Sequence, residues 1–260
     1  MWNLIKSAIK GKFEKIKNND FVTTLRRPLF RIRKLFYVLI LNIKLKTLNQ
    51  NYSLESLIDF VFHYGEGLLS PLQIKSENLS LLHILKNHKP KYILEIGTAK
   101  GGTLFLTTRI ASEDAVIISI DLPGGEYFGG YEEWKIPLFK SFSLPKQEIH
   151  LIRADSHEVA TLNKVRFILK GNKIDYMFID GDHTYNGVKS DFTMYSPLVK
   201  SQAIIAFHDI VDHPPELKVG VNKFWNEIKE KYEYKEIVED WYQKFGGIGI
   251  LKNIGKDIIL

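Results

Sequence analysis

From about residue 76 the chain alternates between short, almost unbroken apolar runs and longer mixed stretches. Tyr92–Ile96, Ala115–Ile120, Glu148–Ala154, Ile174–Ile179 and Ala203–Phe207 are runs of the first kind, and each predicts a strand covered on both faces. Between and around them, helical spacing predicts helices over Ser80–His88, Gly102–Ser112, Ser156–Leu169, Tyr185–Val199 and Val221–Tyr232. Two further strands, Lys235–Val238 and Gly247–Leu251, close the pattern. Strands that alternate with helices predict an α/β fold, a doubly wound Rossmann-like sheet with helices on both faces.

Residues 1–75 have a different pattern and are expected to form a basic helical extension ahead of an α/β domain over 76–260. Trp2, Ile5, Ile9, Phe13 and Ile16 recur every three or four residues, one face of a helix, with Lys6, Lys10, Lys12, Lys15 and Lys17 around it. Pro28 interrupts, and a second apolar and basic stretch runs from Leu29 to Leu48.

Charge sharpens this division. The whole chain is +6, but residues 1–50 carry 12 Lys and Arg against Glu14 and Asp20, a net +10, which leaves −4 for the rest. An acidic body argues against a nucleic-acid partner. A basic amphipathic arm suits either peripheral contact with an anionic membrane or packing on the catalytic domain or on a second copy of the chain, a homo-oligomer. The apolar stretch Leu35–Leu41 is too short to span a bilayer, and no secretory signal is read at the N-terminus, so the expected compartment is the cytoplasm, with the arm docking at the inner face of the membrane. With no cysteine in the chain, disulfides and thiolate metal sites are excluded.

Ligands of parallel sheets sit beyond the carboxyl ends of the strands, so the polar residues there carry the candidate chemistry. After the first strand comes Glu95-Ile-Gly97-Thr98-Ala-Lys-Gly101-Gly102. Its glycines allow a tight turn and close approach of a ligand to the backbone. The spacing is neither the dinucleotide GxGxxG nor a phosphate loop. Asp121 follows the second strand, about 24 residues past Gly97, where an acid can accept both ribose hydroxyls of an adenosine cofactor or simply end a strand. Asp155 and Ser156 follow the third, placed to meet an adenine or to cap the next helix. Asp180, Asp182 and His183 follow the fourth, and His208 and Asp209 the fifth. Adjacent strands would join these last two groups, giving carboxylate and imidazole ligands suited to a divalent cation such as Mg2+ or Mn2+, or else a polar cluster without metal. Gly124–Tyr131, rich in glycine and aromatic residues, reads as a flap over a ring or as a surface loop.

Taken together, Glu95–Gly102, Asp121, Asp155-Ser156, Phe178–His183 and Phe207–Ile210 resemble class I S-adenosylmethionine (SAM)-dependent methyltransferases. More narrowly they are similar to O-methyltransferases of the macrolide-sugar and rhamnosyl kind and to cephalosporin hydroxylase-like proteins, over about residues 70–255. The resemblance implies a seven-stranded sheet whose last strand is inserted antiparallel, with Trp241–Leu251 as the closing hairpin. It implies SAM as cofactor, with Glu95, Gly97, Thr98 and Gly101 at its methionine end, Asp121 on the ribose and Asp155-Ser156 by the adenine. Metal-dependent relatives place ligands at the positions of Asp180, His208 and Asp209, so Asp180 borders both cofactor and metal. His208 departs from the acid or amide usual there, which leaves it a ligand or a second base. Sugar methyltransferases carry a histidine base at the position of His183. The implied acceptor is a hydroxyl of a glycan or small natural product. A SAM-fold binding or scaffold protein in a glycan pathway is the alternative.

Overall fold

The computed structural model describes residues 39–41, 44, 52–124 and 130–252. The first amphipathic face, at residues 2–16, and the centre of the glycine-rich loop, 125–129, lie outside them. The chain divides between Thr47 and Leu48. Residues 48–75, grouped by composition with the extension, belong to the second unit. In the first unit, residues 39–41 and 44 are helical. Among the described residues no helix is long and apolar enough to cross a membrane.

The second unit opens with α1, Leu54–His63. Its start is fixed by Ser53, whose hydroxyl accepts from the Ser56 amide at 3.2 Å. Its buried residues Leu54, Leu57, Ile58 and Val61 follow helical spacing, and the helix packs with α2 (Lys75–His88) and α3 (Gly102–Ile110). Helix α2 begins five residues before the predicted Ser80. Its first turn buries Glu77 and Asn78 rather than apolar residues, so hydrophobic periodicity does not mark it. It ends where Lys89 turns left-handed, φ 47°, just before Pro90.

Seven strands follow the order β3-β2-β1-β4-β5-β7-β6. They are β1 (Tyr92–Ile96), β2 (Val116–Asp121), β3 (Glu148–Arg153), β4 (Ile174–Ile179), β5 (Val199–His208), β6 (Glu233–Ile237) and β7 (Ile248–Lys252). The first five pair in parallel, and β7 lies antiparallel to both β5 and β6. This is the seven-stranded arrangement with an inserted antiparallel strand that the resemblance implied. The connecting helices are α4 (Ile136–Lys140), which the apolar pattern does not foretell, α5 (Val159–Leu169), α6 (Tyr185–Tyr195) and α7 (Val221–Ile228). Helix α7 is shorter than expected because Lys229–Lys231 tightens into a 3-10 turn.

The core on one face joins Leu94, Ile118, Met177, Ile205 and Phe207 of the sheet to Val165, Phe192, Phe224 and Trp225 of the helices. Chain order departs from β1 in two directions, through β2 to β3 on one side and through β4 to β5 on the other. The switch point is therefore between β1 and β4, where a crevice opens at the carboxyl ends. Register aligns those ends: Ile96 pairs with Ile120 and Ile179, and Ile179 with Phe207.

Candidate functional site

At the switch point the chain leaves β1 through Gly97, at φ 95°. A Cβ there would lie 2.0 Å from the Asp180 carbonyl oxygen, so only glycine allows the loops after β1 and β4 to touch. Gly97 donates to the Ile120 carbonyl at 2.9 Å, and Asp180 donates its amide to that of Ile96 at 2.8 Å. Gly101, at φ 83°, begins α3, and a Cβ on it would enter the ring of Phe139 at 2.4 Å.

Behind the loop Glu95 is 3 % exposed. Ser119 Oγ donates to its Oε2 at 2.7 Å, while Oε1 is buried with no partner. Burial raises the Glu95 carboxyl to about 8, opposed by the Ser119 hydroxyl and aided by the charges of Asp121 and Asp180. Thr98 closes the same group, 2.5 Å from Ser119 Oγ. Asp121, the last residue of β2, accepts from the Tyr131 amide at 2.9 Å. Burial raises its pKa too, against the pull of the Tyr131, Thr98 and Ala99 amides. These two carboxyls accept hydrogen bonds from a hydroxyl and a backbone amide, respectively.

Asp155 and Ser156 follow β3, but neither caps the next helix. Helix α5 starts at Val159, with Glu158 at its N-cap and no side-chain bond. Asp155 Oδ1 instead accepts from the His157 amide at 2.9 Å, a local turn. The Ser156 carbonyl accepts from Tyr195 Oη at 2.7 Å. His157 reaches the buried Asp191 of α6 at 3.3 Å, and that carboxylate holds the imidazole pKa up to about 9 against the effect of burial. This pair fastens the β3 loop to α6.

The loops after β4 and β5 meet as expected. Asp180 Oδ1 accepts from His208 Nδ1 at 3.0 Å, and the same nitrogen is 3.2 Å from Asp209 Oδ1. His183 Nδ1 lies 2.8 Å from Asp209 Oδ2, with its side chain 17 % exposed. The set of side chains that converge on a possible cation is Asp180, His183 and Asp209, whose ligand atoms lie within 4.8 Å of one another. His208, expected in that set, presents its Nδ1 to both carboxylates as a hydrogen-bond donor. Burial would lower the His183 and His208 pKa values, but the facing carboxylates outweigh it and raise both. Burial would likewise raise Asp209, and the histidines hold it well below the usual carboxylate range. Asp209 has φ 66°, a left-handed backbone rare outside glycine. The Gly246 amide on its Oδ1, at 3.2 Å, helps to hold it there. Asp182 turns away from this group and accepts from the Thr184 amide at 2.8 Å.

Residues 94–210 match the family model described as a methyltransferase domain. They are thus similar to a methyltransferase domain. The fold of this chain is similar to that of the O-methyltransferase TomG of Streptomyces achromogenes, involved in tomaymycin synthesis and solved with SAM, at 19 % identity and a TM-score of 0.53, covering 83 % of this chain and 96 % of that one. An O-methyltransferase from Bacillus cereus, solved with SAH, is similar at 16 % identity and a TM-score of 0.53, covering 82 % of this chain and 97 % of that one. In sequence, an uncharacterised protein of Acanthamoeba polyphaga mimivirus is 28 % identical over 180 residues, 68 % of this chain and 74 % of the other. An uncharacterised protein of Sinorhizobium fredii is 26 % identical over 152 residues, 57 % of this chain but only 16 % of the other.

Four residues in or beside the site were not singled out in the sequence. Gln73 donates to Asp180 Oδ2 at 2.6 Å from a segment 107 residues away. His213 Nε2 stands 3.1 Å from Asp209 Oδ1, and the ring of Phe245 lies against both His208 and His213. Glu77, 1 % exposed, accepts from the Glu239 amide, the Gln243 side chain and the Gly247 amide at 3.1, 2.9 and 2.8 Å. The one clue is a histidine four residues past Asp209.

Proposed function

We propose that the chain is a SAM-dependent O-methyltransferase acting on a hydroxyl of a sugar, glycan or small natural product, with His183 as general base. The observation that carries this is the junction of the glycine loop with the acid–histidine cluster: Gly97 abuts Asp180, and the hydrogen bond to Asp209 fixes the His183 ring through Nδ1. A ring oriented through Nδ1 can take a proton at Nε2, and the carboxylate behind it stabilises the imidazolium that results.

SAM supplies a methyl group on a sulfonium, and its thioether leaves neutral, so no acid is needed on that side. Glu95 and the glycine loop suit the cationic methionine end, Asp121 the ribose, and Asp155-Ser156 the adenine. At the acceptor, His183 takes the hydroxyl proton as oxygen bonds to the methyl carbon and the carbon–sulfur bond breaks. Holding the two reactants in line contributes much of the remaining acceleration.

A second reading places Mg2+ or Mn2+ among Asp180, His183 and Asp209, supported by the convergence of their ligand atoms. When bound there, such a cation would stabilise the developing alkoxide. His183 would then be a ligand, and His208 would balance the carboxylates. The acidic body fits a small-molecule or glycan acceptor. A lipid-linked acceptor would give the basic arm of residues 1–50 a reason to touch a membrane.

The test is calorimetry of SAM binding with Mg2+ and after EDTA, followed by a panel of methyl glycosides and phenols assayed for methyl transfer. We expect micromolar SAM binding and turnover on a glycoside. Turnover that survives EDTA supports His183 as base, and turnover lost to EDTA selects the metal reading. An absence of SAM binding overturns both.

A further inference from the structure

We infer that Gln73 is a positioning residue for methyl transfer, holding the Asp180 carboxylate between the cofactor loop and the acceptor cluster. This inference rests on the methyltransferase reading above.

Gln73 is 7 % exposed and uses both ends of its amide. Thr103 Oγ1 donates to its Oε1 at 3.3 Å, which fixes Nε2 as the end that donates to Asp180 Oδ2 at 2.6 Å. Thr103 is the second residue of α3, directly after the glycine loop. Gln73 therefore bridges the helix that starts at the cofactor loop to the carboxylate that opens the acceptor cluster.

The segment that carries it is firmly seated. A Cβ on Gly102 would lie 2.1 Å from the Leu69 carbonyl oxygen and 2.9 Å from Pro71, so the absence of a side chain at Gly102 lets residues 69–71 cross the start of α3. Asp180 then has one oxygen bound by Gln73 and the other by His208. If the carboxylate turned, it would break both bonds and leave the buried amide without an acceptor. A charge-assisted bond from a neutral donor orients the carboxylate without neutralising it, which leaves its charge available to the acceptor or to a cation.

Two variants separate positioning from mere space-filling. Gln73→Met fills nearly the same volume with no donor, and Gln73→Ala removes both. In the full chain, with the glycoside that turns over in the panel above, both variants are expected to lower kcat about ten- to a hundredfold. SAM affinity should stay within about threefold of the parent, since a positioning bond acts on the reacting geometry rather than on ground-state binding. A crystal structure of Gln73→Met with SAH is expected to show Asp180 turned away from His208. Parental kcat in Gln73→Met overturns the inference in favour of packing. A loss of SAM affinity that matches the loss of kcat overturns it in favour of a cofactor wall. An unmoved Asp180 overturns it as well. If the parent itself binds no SAM, the methyltransferase reading fails, while the Asp180 position in ligand-free Gln73→Met still tests the bridge.

Discussion

The two halves of the site treat their charges in opposite ways. On the proposed cofactor side, Glu95 is buried and Asp121 half-buried, they accept hydrogen bonds from a hydroxyl and an amide, and burial raises both. On the acceptor side, Asp180 and Asp209 face His183, His208 and His213, and each carboxylate lies within 3.2 Å of an imidazole nitrogen. The first half stores unmet demand for a cation and for hydroxyl donors, which a sulfonium amino acid with a ribose can satisfy. The second is already balanced, as a proton-transfer site needs to be before its substrate arrives. Burial is similar in both, so it is the partners that set the difference.

This contrast is open to test, starting with the largest effect. His183→Ala is expected to cut turnover by about a hundredfold to ten-thousandfold and leave SAM affinity almost unchanged. Single-turnover rates and calorimetry on the same preparation check both parts, and unchanged turnover removes the base. Asp209→Asn keeps a residue that tolerates a left-handed backbone but strands the histidines. Denaturant melts should show a loss of about 3–5 kcal/mol. A loss under about 1 kcal/mol would mean that the acceptor side is not balanced by charge.

On the cofactor side the prediction concerns pH. The Glu95 carboxyl titrates near 8 in the fold against an ordinary 4.5, so the folded chain holds this proton more tightly than the unfolded one. That stabilising contribution is complete below about 4.5 and is lost as pH rises through 8. A cationic ligand favours the ionised form, so SAM affinity should rise from pH 6 to 8, by at most about tenfold per unit, and then level off. Calorimetry across that range checks it, and Glu95→Gln should flatten the slope. The smallest effect is expected at Asp155→Ala, which loses a turn bond to the His157 amide at a cost of about 1 kcal/mol. A SAM affinity that falls more than about tenfold there would give Asp155 a direct part in adenine binding.

The cofactor half was far more legible than the acceptor half. Glu95, Gly97, Gly101 and Asp121 lie at the ends of adjacent strands, and apolar runs mark those ends, so local pattern was enough to place them there. Asp180, His183, His208 and Asp209 were also visible as polar residues at strand ends. What was hidden was how they divide the work. The family resemblance implied His208 beside Asp209 as a ligand pair; in the structure His183 Nδ1 lies 2.8 Å from Asp209 and His208 Nδ1 faces both carboxylates. Gln73 and Gly246 were invisible because their contacts join segments 107 and 37 residues apart, and neither glutamine nor glycine there breaks any pattern. The early start of α2 escaped notice for a related reason, since its buried Glu77 looks like a surface residue until its partners near residue 247 are known.

The inserted strand β7 also sets the order in which the site matures. Its approach loop gives the Gly246 amide to Asp209 and the Gly247 amide to Glu77, so the acceptor cluster is fastened by residues made long after the cluster itself. A chain emerging from the ribosome completes its cofactor loop early, and for as long as residues 210–247 are still being added Asp209 lacks one of its amide donors. The hydrogen bonds to Asp209 are therefore complete only once the segment leading into β7 has been made.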